Sequence, residues 1–203
     1  MTRPRGTRRA QAAAETRRLV LAAALGEFRR SGYARATAND IAAAAGVSVA
    51  TVYTSVGGKP DLLETLVREG VADTRVRETL EAVAQATSGA AVLRAAAHGT
   101  RTVTESQEDI VAVLLDSASA EPRIGALLVE VRAAYRGALD TCATRLVELD
   151  VLRDGVGAQE ASAALWFLFG LGSWPRLTED IGWSYDRAEE WLVSAAEAAL
   201  LRP

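Results

Sequence analysis

Between Ala36 and Ser55 the sequence reads ATANDIAAAAGVSVATVYTS, and its hydrogen-bonding side chains are short hydroxyls and one phenol. Thr37, Ser48, Thr51, Tyr53, Thr54 and Ser55 lie in or beside this stretch, with Lys59 just beyond. No base stands beside any of these hydroxyls to make it a nucleophile. Small polar groups on one helix surface suit base edges and phosphate oxygens instead. Bond-breaking chemistry is poorly provided for along the whole chain. There is one histidine (His98), one cysteine (Cys142) and one lysine (Lys59). Such a set offers neither a nucleophile–base pair nor a cluster of metal ligands. Glu189 and Glu190 are neighbours in sequence, so they point to different sectors of a helix and read as solvated surface. No enzyme activity, cofactor or metal is expected.

The hydroxyl-rich stretch must be held by short helices. Thr37 and Asp40 are spaced as a capping box that opens a helix ended by Gly46. Ser48 is a suitable N-cap for a second helix, Val49 to about Ser55. Ile41, Ala45, Val47 and Val52 are placed to pack the two together. A short helix, a glycine turn and another short helix make a helix-turn-helix. Before it, Leu21, Leu25 and Phe28 form an apolar stripe on a helix from about Glu15 to Ser31. After it, Pro60 and Asp61 are start signals for a helix expected to run from Lys59 to about Ala84.

Charge separates this head from the rest. The first sixty residues hold ten basic and three acidic side chains, a net +7, whereas the remainder carries −10. A basic head on an acidic body means that only the head meets a polyanion. Arg3, Arg5, Arg8 and Arg9 form a basic arm able to enter a minor groove. Tyr53 can reach a phosphate, and Lys59 at a helix N-terminus can meet one together with backbone N–H groups.

The pattern resembles the TetR (tetracycline-repressor-like) family. The resemblance rests on Ile41-Ala42, Ala45-Gly46-Val47-Ser48, Thr51-Val52-Tyr53, Lys59 and Leu62-Leu63, preceded by Phe28, Gly32-Tyr33 and Thr37. It covers roughly residues 15–70. It implies an all-α fold of about nine helices: a three-helix DNA-binding domain, then an α-helical ligand-binding and dimerisation domain. The family's DNA-contact positions fall on Thr37, Ser48, Thr51, Tyr53, Thr54 and Lys59. Val56 stands where the family usually has an aromatic residue, and Thr54 and Ser55 are smaller than is common there. The expected domains are a flexible basic arm (1–14), a helix-turn-helix domain (15–58, motif 36–55) and a sensing and dimerisation domain (59–203).

Beyond residue 75 the reading relies on composition and helix periodicity. Nearly half the residues are hydrophobic but only 5% are aromatic, and alanine and leucine dominate, which favours helices. Helices are expected over Ala90–Thr104, Asp109–Ala118, Arg123–Glu148, Ala158–Ser173 and Tyr185–Leu201. All four tryptophans lie between residues 166 and 191. Trp166, Phe167, Leu168, Phe169 and Leu171 make the penultimate helix apolar on nearly every side, so a second subunit is expected to cover part of it. Gly170 and Gly172 would let helices approach closely. A homodimer through the last two helices would set two recognition helices ~34 Å apart, matching an inverted-repeat operator in double-stranded DNA. Candidate residues for a small-molecule effector are His98, Arg101, Val113, Leu114, Tyr135, Leu139, Trp166, Phe169 and Trp174. The expected function is a repressor released from its operator by that effector, acting in the cytoplasm at the nucleoid, with no membrane segment. A helical interaction module without DNA binding, a ligand-independent regulator and an activator are the alternatives.

Overall fold

The computed structural model describes residues 5–71 and 74–203. Its elements are α1 (Arg5–Ser31), α2 (Ala38–Ala45), α3 (Val49–Ser55), α4 (Lys59–Val71), α5 (Thr74–Gln85), α6 (Gly89–Ser117), α7 (Pro122–Glu148), α8 (Ala158–Phe169), α9 (Ser173–Pro175) and α10 (Tyr185–Leu200). A π-helical turn, Arg176–Asp180, follows α9. Among the described residues the fold is all-α, and the single isolated bridge joins Leu152 to Leu201. No helix among them is long and apolar enough to cross a membrane.

Two compact units divide the chain. The first takes Met1–Val71 and Asp109–Val129, the second Ala72–Glu108 and Glu130–Pro203. In the first unit, α1 buries Val20, Leu21, Ala24 and Phe28. These meet Ile41 of α2, Val52 of α3 and Leu62 and Leu63 of α4 in one apolar core. Leu25, expected in the buried stripe, is only half-buried. The second unit buries Val92, Leu93, Ala96 and Ala97 of α6 with Leu139, Cys142 and Leu146 of α7. Leu165 and Phe169 of α8, Trp174, and Leu192 and Leu200 of α10 complete that core. Gly99 lets α5 and α6 touch: a Cβ there would sit 2.1 Å from Thr79 Oγ1.

Several boundaries differ from the sequence expectation. Helix α1 begins at Arg5 instead of near Glu15. Arg8, Arg9, Ala10, Gln11 and Ala12–Ala14 are strong helix formers, so the helix extends without needing an apolar face. Residues 1–4, with Arg3, lie outside the described residues. The helix expected over Lys59–Ala84 is described as α4 and α5, and residues 72–73 between them lie outside the described residues. The two helices expected on either side of residues 105–108 are one helix, α6, of 29 residues. Glu105, Ser106, Gln107 and Glu108 are polar but include neither glycine nor proline, so nothing breaks the ladder. Helix α8 ends four residues early, because Gly170 takes an extended ψ of 168°. A Cβ on Gly170 would lie 2.3 Å from the Trp166 carbonyl oxygen, and one on Gly172 would meet nothing within 4 Å. The first glycine therefore ends a helix, and within the single chain neither lies at a close approach of another helix.

Candidate DNA interface and sensing region

The helix-turn-helix is fixed by caps at both ends of its turn. Thr37 Oγ1 accepts from the Asp40 N–H, and the Asp40 carboxylate accepts from the Thr37 N–H at 3.2 Å and its hydroxyl at 2.6 Å. That capping box satisfies two otherwise unpaired donors. Gly46 closes α2 in the left-handed region (φ 67°), which glycine adopts without steric penalty. Ser48 Oγ then caps α3 by accepting from the Thr51 N–H at 3.1 Å and also lies 2.8 Å from Thr51 Oγ1. Ile41 and Val52 are fully buried between the helices, whereas Ala45 and Val47 are half-buried.

With Val52 turned inward, α3 presents Ala50, Tyr53 and Thr54 outward. Tyr53 is 56% exposed, so its phenol is free to reach beyond the helix. Thr54 Oγ1 donates to the Ala50 carbonyl at 2.9 Å and retains acceptor capacity. Thr37 and Ser48 are exposed and Thr51 is half-exposed. Thr37 and Ser48 cap the two helices, while Thr51 and Thr54 project from α3 itself. Ser55 is more sheltered, its hydroxyl donating to the Val52 carbonyl and its own carbonyl accepting from Arg17 of α1. On α1, Arg8 and Arg9 are exposed.

Lys59 is engaged inside the head. Its Nζ donates to the Tyr33 carbonyl at 2.7 Å and the Ala34 carbonyl at 3.1 Å, and lies 4.8 Å from the Tyr33 ring centre. It thereby ties the start of α4 to the loop that leads into Thr37. Tyr33 packs against Phe28 at 5.1 Å, and burial pushes its hydroxyl up to about 12.

Arg123 of α7 completes the support, a role the sequence reading missed. Its guanidinium lies 2.7 Å from Asp61 and 2.6 Å from Glu64 on α4. Asp61 also accepts from the Gly58 N–H at 2.8 Å. That backbone donor, then Arg123, hold the Asp61 carboxyl below its ordinary value. Arg29 of α1 pairs with Asp109 of α6 at 2.8 Å. These partners are up to eighty residues apart in sequence, so no local pattern announces them.

The candidate effector residues fall into three groups. Val113 and Leu114 are buried in the first unit. His98 and Arg101 lie on the surface of the second unit beside α10. Arg101 binds Asp186 at 2.7 Å and Glu189 at 2.8 Å, and His98 Nδ1 is 3.4 Å from Glu189. Tyr135, Leu139, Trp166, Phe169 and Trp174 come together in the apolar core of the second unit. There the Tyr135 hydroxyl donates to the Phe169 carbonyl at 2.7 Å, and its ring meets Trp166 edge-on at 6.0 Å. Cys142 is buried and its thiol is pushed up to about 11 by burial. Among the described residues no group of three acidic, histidine or cysteine side chains is placed to hold a metal.

Comparison with known proteins bears on this arrangement. Residues 20–66 match the sequence model of the bacterial regulatory proteins of the tetR family. No curated protein matches the chain. Among solved structures, the fatty acid degradation regulator FadR from Bacillus halodurans superposes with a TM-score of 0.73 at 18% identity, covering 89% of this chain and 94% of its own. NalD, the secondary repressor of the MexAB-OprM multidrug efflux pump in Pseudomonas aeruginosa, gives 0.73 at 20% identity, covering 95% and 98%. SmeT in complex with triclosan gives 0.70 at 18% identity, covering 93% and 92%. At these identities the structural likeness speaks for the fold.

Proposed function

We propose that this chain, whose residues 20–66 match the sequence model of the bacterial regulatory proteins of the tetR family, is a DNA-binding transcriptional regulator and a homodimeric repressor released by a small molecule. The observation that carries the reading is the exposed polar face of a capped helix-turn-helix inside residues 20–66. Thr51, Tyr53 and Thr54 on α3 face the bases and phosphates of a major groove, while Thr37 and Ser48 hold phosphates at the helix starts. Lys59 acts from behind, by positioning the loop before α2.

The dimer forms through α8 and α10. Phe167 of α8 is 75% exposed and Trp191 of α10 is 49% exposed. Large apolar side chains left open on neighbouring helices favour cover by a second subunit. A two-fold axis there spaces two α3 helices for an inverted repeat. Such a target means working in the cytoplasm, on the nucleoid. Effector binding in the second unit stabilises a dimer whose α3 spacing no longer matches the operator, and so shifts the population off DNA. The triclosan complex of SmeT supports a sensing body on this fold.

Phe167→Glu tests the dimer. Sedimentation should show a monomer with the helical content retained, and DNA affinity should fall at least tenfold. A variant that stays dimeric and binds normally removes α8 from the interface.

A further inference from the structure

We propose that the second unit binds one uncharged, largely apolar effector along a single stripe of α6, held by Thr104, Gln107 and Trp174. The proposal rests on the reading of this unit as a sensor and adds the site and the ligand's chemistry. Three buried polar atoms of the second unit have no hydrogen-bond partner: Thr104 Oγ1, Gln107 Oε1 and Trp174 Nε1. Trp174 is fully buried and Thr104 is 2% exposed. Folded proteins leave few such atoms unpaired. Thr104 departs even from its own helix. Thr100 and Thr102 each donate back to a carbonyl, of Ala97 and Gly99, at 3.0 Å, and Thr104 does not. Its hydroxyl is kept for another acceptor or donor.

Contacts of α6 with the aromatic core relate the three residues. Thr100, Thr104 and Gln107 follow each other at four and three residues, so they share a face of α6. The Tyr185 ring stacks on Trp174 at 6.1 Å and lies 5.8 Å from the Arg101 guanidinium of α6. Tyr185 thereby links Trp174 to α6, one turn before Thr104. At the other end, the Thr100 hydroxyl lies beside that of Tyr135, which donates to the Phe169 carbonyl. The stripe thus runs along the aromatic part of the core.

The donor set defines the ligand. The indole N–H needs an acceptor, the Gln107 oxygen needs a donor, and the Thr104 hydroxyl takes either. No Asp, Glu, His, Lys or Arg side chain is buried in the second unit among the described residues. On the same helix, Arg101 is already bound by Asp186, Glu189 and Glu105. A carboxylate or ammonium would be buried there without a counter-charge. The site therefore selects a neutral molecule with adjacent acceptor and donor groups on an apolar body, as in a primary amide or a phenol.

Benzamide, benzoate and benzamidinium share one shape and differ in charge, and they test this on the ¹⁵N-labelled full chain. The four indole N–H resonances are followed by NMR, with Trp174→Phe identifying that of Trp174. Benzamide should move the Trp174 resonance saturably and bind at least tenfold more tightly than either charged isostere. Thr104→Val should weaken benzamide about tenfold, the loss of one hydrogen bond. It should melt no lower than the parent, because it removes an unpaired hydroxyl. A Trp174 resonance unmoved by all three compounds, or equal affinity for benzoate, overturns the proposal. If benzamide binds as stated and operator affinity is unchanged, the site stands and the sensing reading falls.

Discussion

Lys59→Met separates a positioning lysine from a phosphate contact. The substitution keeps most of the aliphatic stem and removes the ammonium. Two hydrogen bonds from Nζ, at 2.7 and 3.1 Å, are lost, along with its position 4.8 Å from the Tyr33 ring centre. Hydrogen bonds to a charged group contribute ~1.5–3 kcal/mol when sheltered. The site is only half-buried, so about 1 kcal/mol each is the fitting figure, with about 0.5 kcal/mol for the ring. About 2.5 kcal/mol of stability should go, which for a chain of 203 residues lowers Tm by ~5–10 °C. Operator affinity should fall as the loop before Thr37 loosens. The dependence of log Kd on log salt should keep its slope, because no phosphate contact is removed. Thermal melts and fluorescence anisotropy at four salt concentrations read both quantities. A Tm within 1 °C of the parent, with a salt slope reduced by about one, would show instead that the ammonium binds phosphate.

Three further outcomes follow from the same structure. Gly46→Ala forces a side chain into a left-handed turn (φ 67°) and should destabilise the head by about 1 kcal/mol in urea unfolding. Gly99→Val drives side-chain atoms into Thr79, so its melting temperature should fall well below the parent's, unlike that of a surface change such as Gly155→Asn at φ 85°. Cys142 should resist thiol reagents at pH 8 until the protein is unfolded, because burial holds its pKa at about 11 against an ordinary 9.0. From about pH 9 to pH 11 the unfolded chain loses that proton while the folded chain keeps it, so stability should decline across that range. A flat urea midpoint from pH 8 to 10.5 would contradict the buried thiol.

The helix-turn-helix was legible because its determinants are local. Thr37 with Asp40, Gly46 and Ser48 act within three or four residues of the backbone groups they satisfy, and each does so in the structure. The helix expected over Arg123–Glu148 was legible too, and in the structure it starts one residue earlier at Pro122, a residue suited to the first helical position. Elsewhere polarity was taken for a loop. The run Glu105–Glu108 lacks apolar spacing, yet it continues α6, since helices end at breakers and not at polar residues. That misreading hid Thr104 and Gln107, whose shared face exists only if α6 is continuous. Ion pairs such as Arg123 with Asp61 join distant segments, and their sequence context is that of ordinary surface charges. The effector region was legible only as a list of mixed apolar and polar residues. The structure divides that list between the apolar core of the second unit, the Arg101–Glu189 surface and, for Val113 and Leu114, the first unit.

The central claim is sequence-specific DNA binding by a two-fold dimer. Selection from a random duplex library, at moderate salt, with the retained duplexes sequenced, tests it most directly. The account predicts an inverted repeat whose half-sites lie about one helical turn apart, with Thr51→Ala altering the preferred bases within each half-site. Retention without any motif, weak and lost steeply as salt rises, would contradict it and leave only the attraction of a basic head for a polyanion.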